Sequence, residues 1–240
     1  MNGKKVMIIG ASSGIGRSLA EVFLQHHNLT GIAARRKALL EELAARYPGE
    51  CIAQPLDVTA TAMLKTHLRQ LSERMNGVDI VVICAGGGKV NETLDRVVEQ
   101  HTIDLNVSGF TAVAGWAFRQ FERQGHGQLV AITSIAGLRG NRQSPGYGAA
   151  KAFQINYLQG LRQKAHTSAA DITVTDIRPG FVNTPTAQSP VKFWEAPVEK
   201  AARHIYTAII RKRKVAYITR RWRIAAWLFR SLPGWLHERL

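Results

Sequence analysis

The sequence predicts an α/β fold: a doubly wound parallel sheet of about seven strands with helices on both faces. Three observations predict it. Short apolar runs alternate with segments of helical period along the 240-residue chain. The runs VDIVVICAG and DITVTDIRPG are apolar nearly throughout their centres, which suits strands covered on both faces. The length fits one domain with a substantial core, and no Pro/Ser-rich linker, repeat or low-complexity tract interrupts it.

Taken in order, strands read near 5–9, 29–34, 51–54, 78–84, 128–134, 172–177 and 214–219. Helices read near 15–26, 36–46, 60–75, 94–122, 147–165 and 197–212, the fourth broken. Each crossover is expected to be right-handed. The final segment, WRIAAWLFRSLPGWLHERL, has another character: Trp222, Trp227, Leu228, Phe229, Trp235 and Leu236 stand among arginines. Such a stretch packs on the body of its own chain, meets a sister subunit, or lies on a membrane surface.

Composition narrows the functional classes. There are 32 lysines and arginines against 17 acidic residues, a formal net charge of +15. The excess is uneven: residues 200–240 hold eleven basic residues and one acidic one, Glu238. No nucleic-acid-binding motif accompanies the charge, so no nucleic acid is expected as a partner. The start, MNGKKVMIIG, is too short an apolar run for a signal peptide, and no stretch approaches a membrane span. Cys51 and Cys84 fall in predicted strands and imply no disulfide framework. A cytoplasmic protein is the simplest reading, with peripheral attachment at the inner membrane face as its variant. The histidines show no metal-ligand spacing, and no metal is expected.

Two motifs carry chemistry. The loop Gly10-Ala-Ser12-Ser13-Gly14-Ile15-Gly16 joins the strand-like KKVMII to the helical RSLAEVFLQHH. Strand, glycine turn and helix form the context of a dinucleotide-phosphate site. Gly10 turns the chain off the strand, Gly14 lets backbone approach a pyrophosphate, and Gly16 lets helix and sheet pack closely. The helix N-terminus then offers free N–H groups to the phosphates. Far downstream, Tyr147 and Lys151 stand four apart in YGAAK, one turn apart on one helix face. An ammonium beside a phenol is expected to lower the phenol's pKa, so that it exchanges a proton with a carbonyl oxygen or an alcohol. Ser134 closes the strand-like run QLVAITS, at the sheet edge where open α/β sheets bind ligands.

With these motifs the chain resembles the short-chain dehydrogenase/reductase family, from about Lys4 to Thr184. The family's motifs come in its order: Gly10–Gly16, Asp57-Val58, Ala85-Gly86, Asn106, Ser134, Tyr147, Lys151 and Pro179-Gly180. The resemblance implies a Rossmann-like fold and an NAD(P)-dependent oxidoreductase with Asn106, Ser134, Tyr147 and Lys151 as a catalytic tetrad. In that scheme Ser134 bonds the substrate oxygen. Lys151 bonds the nicotinamide ribose. The backbone carbonyl of Asn106 holds a water in a proton relay to the lysine. Asp57 and Val58 meet the adenine, and Ala85-Gly86 the adenosine ribose. Pro179, Gly180, Val182 and Thr184 line the nicotinamide amide and diphosphate. One departure is Cys84, where the family usually has Asn; it reads as a buried small apolar residue.

Cofactor choice rests on GIAARR. Ala34 stands at the position where NAD enzymes of this sort place an acid, and Arg35 and Arg36 follow, each a donor fork for a 2′-phosphate. NADP(H) is therefore expected over NAD(H), with Arg17 a weaker contributor. Leu138, Arg139, Arg142, Gln143, Phe181 and Trp194 are candidates for the substrate side by position. The stretch between Thr184 and Pro197 is short, which predicts a small lid. Residues 1–219 read as the cofactor-binding catalytic domain and 220–240 as its basic, Trp-rich C-terminal segment. The leading expectation is an NADPH-dependent enzyme interconverting a small-molecule carbonyl and a secondary alcohol. The alternative is a non-catalytic NADP(H)-binding sensor or scaffold on the same fold. The resemblance implies a homodimer or homotetramer, since in that family the helices near 105–122 and 147–165 pair across a two-fold axis; here the first carries Phe110, Val113, Trp116 and Phe118, more apolar surface than one sheet face needs.

Overall fold

The computed structural model describes residues 2–184 and 193–238. Seven strands form one sheet: β1 (Lys5–Ile9), β2 (Leu29–Ala34), β3 (Cys51–Pro55), β4 (Ile80–Ile83), β5 (His126–Ile132), β6 (Asp171–Pro179) and β7 (Val215–Ile218). Their order is β3-β2-β1-β4-β5-β6-β7, and every pairing is parallel. The order reverses between β1 and β4, which opens a crevice at the C-terminal ends of the strands.

β1 shows how the sheet is covered. Strand periodicity sends Val6 and Ile8 to one face and Met7 and Ile9 to the other, and all four are fully buried. On the first face they meet α1 (Gly14–Gln25) through Leu19 and Phe23, α2 (Lys37–Ala45) through Leu40, and, further along the chain, a helix through Ile205 and Ile209. On the second they meet α3 (Thr61–Arg74) through Leu64, Leu68 and Leu71.

The predicted fourth helix is broken. α4 (Arg96–Ile103) runs into a π-helical turn over Asp104–Gly109, then into α5 (Phe110–Gln124). α4 starts cleanly because Asp95 caps the N–H groups of Val97 and Val98. α5 ends at Gly125, which adopts φ +84° in the left-handed region. α6 (Pro145–Thr167) and α7 (Val198–Ile210) complete the layers, and α7 supplies Ile205 and Ile209. α8 (Trp222–Ser231) and the short α9 (Gly234–His237) follow β7.

One expectation needs correction. Phe110, Val113, Trp116 and Phe118 are not surplus surface: each is buried within the one chain, against α3 and α6. The ground given for a subunit contact on that helix is therefore spent on the chain's own core. The excess charge of residues 200–240 is also divided: the basic run at 211–214 leads into the start of β7, where Lys212 Nζ is 3.4 Å from Asp171, the first residue of β6, while the C-terminal segment follows the end of that strand.

Candidate active site

A cavity of about 1380 Å³ opens at the crevice. Of the residues singled out for cofactor or chemistry, all but Asn106 and Arg17 line it: Gly10, Ser12, Ser13, Gly14, Ile15, Gly16, Arg35, Arg36, Asp57, Val58, Ala85, Gly86, Ser134, Tyr147, Lys151, Pro179, Gly180, Val182 and Thr184. Asn106 is wholly buried beneath them, in the middle of the π turn.

The glycine loop is a cradle of backbone. Gly10 has φ +94°, and a Cβ there would lie 2.5 Å from the amide nitrogen of Ala85. Only glycine lets β1 and β4 part at this point. α1 begins directly after, with no acidic residue in its first turn and no side-chain cap from Ser13. Its first N–H groups face the cavity and suit an anion. Beside them Arg36 donates from Nε and Nη2 to the Ser12 hydroxyl at 3.1 and 2.8 Å, and from Nη2 to Ser13 at 2.6 Å. Arg35 is exposed on the same rim. Arg17 does not contribute, because its guanidinium turns away to Glu42 at 2.7 Å. Asp57 accepts from the backbone and hydroxyl of Thr59 at 2.9 and 2.8 Å, which fixes the loop after β3. This geometry fits the phosphates and adenosine end of a dinucleotide.

At the other end stand the polar residues of α6 and the turn after β5. β5 stops at Ile132, two residues short of the expected end. Ser134 instead opens a 3-10 turn over Ile135–Leu138, its hydroxyl accepting from the Ala136 N–H at 3.1 Å. From there Ser134 stands beside Tyr147 on the cavity wall. Burial pushes the Tyr147 phenol above its ordinary value, and the neighbouring Ser134 hydroxyl only partly opposes it. The expected lowering by lysine is absent: the Lys151 ammonium lies 5.7 Å from the centre of the phenol ring. Lys151 is itself buried, and burial pulls its pKa down to about 8 while Asp176 pulls it back up.

Lys151 Nζ donates to the Ile132 carbonyl at 3.2 Å and to Gln154 Oε1 at 3.0 Å. The other end of that carboxamide, Gln154 Nε2, donates to the Asn106 carbonyl at 2.9 Å. A side chain thus spans the gap that the family resemblance assigns to a relay water. Asn106 is held in turn, its Nδ2 donating to the carbonyls of Gly87 (2.8 Å) and Thr102 (3.0 Å), its Oδ1 accepting from the Gly87 N–H at 3.2 Å.

Sequence reasoning missed Gln154 and Asp176. Gln154 lies three residues beyond Lys151, on the same helix face, which was the available signal. Asp176 is fully buried in β6, accepting from the Thr133 hydroxyl at 2.6 Å and paired with Arg178 at 2.6 Å. An acid inside the apolar run DITVTDIRPG marked it. Among the substrate-side candidates, Arg139, Arg142, Gln143 and Phe181 line the cavity. Leu138 and Trp194 do not; Trp194 packs on Trp222, with the Arg221 guanidinium over its ring. Most of the small lid expected between Thr184 and Pro197 lies outside the described residues. Cys84 sits just past β4 with its thiol pushed up to about 12 by burial, too high for a nucleophile. Among the described residues no group of three His, Cys, Asp or Glu could hold a metal, and no helix is long and apolar enough to cross a membrane.

Comparison with known proteins gives the class. The family described as short chain dehydrogenase matches residues 4–193. An uncharacterised oxidoreductase of Myxococcus xanthus is 34% identical over 205 residues, covering 80% of this chain and 79% of its own. A short-chain dehydrogenase from Sphingobium yanoikuyae, solved with NADPH, superposes with TM-score 0.79 at 25% identity, over 96% of this chain and 97% of its own. A short-chain dehydrogenase/reductase from Burkholderia phymatum, solved with NAD, gives TM-score 0.85 at 17% identity, over 95% and 92%. The chain belongs to the short-chain dehydrogenase family. It is an oxidoreductase of that family, which binds a nicotinamide cofactor and acts on small molecules.

Proposed function

We propose that this oxidoreductase is an NADPH-dependent carbonyl reductase, reversible as a secondary-alcohol dehydrogenase, with residues 1–219 as its catalytic domain. The observation that carries the reading is the gathering of Ser134, Tyr147 and the buried Lys151 on the wall of one cavity. A bound nicotinamide supplies or accepts the hydride. The protein residues handle the oxygen and its proton. Ser134 donates to the substrate oxygen and holds it against Tyr147. Tyr147, with its pKa raised, carries its proton at neutral pH, as an acid serving a carbonyl oxygen must. Lys151, held by the Ile132 carbonyl and Gln154 at the cavity wall, would bond the nicotinamide ribose rather than tune the phenol. Asn106 acts through Gln154 by fixing where that ammonium stands. The cofactor preference follows from Arg35, Arg36, Ser12 and Ser13, which gather donors where a 2′-phosphate would lie and offer no acid to a ribose diol. A homodimer or homotetramer is part of the same reading, by analogy with a family that is usually oligomeric.

The test is a panel of aldehydes, ketones and alcohols with NADPH and NADH, read at 340 nm, beside Tyr147→Phe. Turnover should require NADPH. The variant should lose about two to four orders of magnitude in kcat while binding NADPH within about twofold of wild type. Tight NADPH binding with no turnover on any class would favour a cofactor-binding sensor or scaffold instead. Retained turnover in Tyr147→Phe would remove the phenol from the mechanism.

A further inference from the structure

The C-terminal segment shows two apolar faces where a helix packed on its own body needs one. Trp222 and Ala226, four apart, form the inner face and are buried. The Trp222 indole sits among Phe181, Phe193 and Trp194, with ring centroids 5.6, 5.1 and 5.6 Å away. It also lies against Gly180, where a Cβ would come within 2.0 Å of the ring. α8 is thus fastened to the loop after β6.

The outer face is exposed to solvent. Ile224, Trp227 and Leu228 follow helical spacing and are 69%, 68% and 51% exposed; Trp235 beyond them is 63% exposed. No acidic residue lies in α8, while Arg220, Arg221 and Arg223 are exposed around its start. Lys200 and Arg203 add to this charge: burial first, and then Lys200, Arg220 and Arg203 beside it, hold the His204 pKa below its ordinary value. The stripe also borders the cavity. Arg139 Nη2 donates to the Leu232 carbonyl at 2.7 Å, and both Arg139 and Glu238 line the cavity wall.

We propose that Ile224, Trp227, Leu228 and Trp235 with their flanking arginines form a docking surface for an anionic lipid bilayer, which sets the cavity mouth beside the headgroup layer. The occupant follows from charge and side-chain type together. Indoles on an apolar stripe prefer the headgroup level, and guanidiniums beside them pair with lipid phosphates. A second copy of the chain would bring the same arginines against one another.

Binding requires no turnover, so its test stands apart from the reductase reading. Full-length protein is sedimented with vesicles of phosphatidylglycerol and phosphatidylcholine in equal parts, and with phosphatidylcholine alone, at low and high salt. Binding to the anionic vesicles should exceed that to neutral ones at least tenfold, fall as salt rises, and blue-shift the tryptophan emission. Trp227→Ser with Leu228→Ser, both exposed, should lower binding at least tenfold while melting temperature and NADPH affinity stay unchanged. Absence of binding to anionic vesicles at low salt overturns the proposal. So does equal binding by the double variant, which would assign the contact to another surface. Mass photometry supplies the third outcome: if the double variant turns a dimer into a monomer, the stripe is a subunit contact and the bilayer assignment fails.

Discussion

Replacing Lys151 by methionine should change the stability of the protein in a pH-dependent way. Lys151 is 3% exposed, and its pKa falls to about 8 from the ordinary 10.5. Between those values the unfolded chain holds a proton that the folded chain has released, so the lysine's contribution to stability rises with pH there. At pH 7 the group is charged in both states, and keeping it charged in the fold costs roughly 3 kcal/mol net of the attraction of Asp176; by pH 10 the cost has dropped to about 1 kcal/mol. Methionine carries neither charge nor titration. The stability of K151M relative to wild type should therefore fall by roughly 2 to 3 kcal/mol between pH 7 and pH 10. The absolute offset also contains the lost bonds to Ile132 and Gln154, which do not change with pH. Equilibrium urea unfolding of both cofactor-free proteins, at one protein concentration and several pH values, measures the difference, and distant titrations cancel in it. A difference constant to about 0.5 kcal/mol across that range would refute the reasoning, because Lys151 would then titrate alike in the folded and unfolded chain.

Two further outcomes are expected. Gln154→Leu removes one acceptor from the buried ammonium, so the alkaline limb of the reduction pH–rate profile should move down by roughly one to two pH units, and Gln154→Glu should restore it; an unmoved limb would make Gln154 a packing residue only. Arg35→Asp should raise the Kd for NADPH by about ten- to a hundredfold and that for NADH little, as titration calorimetry would show; equal losses would mean that Arg35 does not read the 2′-phosphate.

The sheet was legible because its strands are short apolar runs set off by glycine, proline and polar turns. β1 and β2 fall where KKVMII and LTGIAA place them. The break in the fourth helix was legible as well, since DLNVSG puts polar residues and a glycine in the middle of a helical period. Ser134 was misplaced because Thr133 and Ser134 look like strand residues. The Thr133 hydroxyl in fact bonds Asp176 and the Ile177 carbonyl at the ladder's end, and the chain turns there. Periodicity shows that α5 has an apolar face, but not that both α3 and α6 close over it, so Trp116 looked unpartnered. The direction of the Tyr147 shift was beyond sequence for a related reason. It is set by competition between burial and charge, and burial appears only once the surrounding elements are in place.

The seat of Trp222 beneath Gly180 joins two parts of the molecule that the sequence keeps forty residues apart. The loop that follows β6 carries Val182 and Thr184 into the cavity, and its neighbour Gly180 is wedged against an indole that belongs to α8. Rearrangement of that loop and reorientation of α8 are therefore not independent motions. Whatever free energy links them acts equally in both directions, as any equilibrium linkage between two sites must. A ligand that shifts the loop on entering the cavity changes the readiness of the outer helix face for contact. An occupant of that face changes the affinity of the cavity by the same factor.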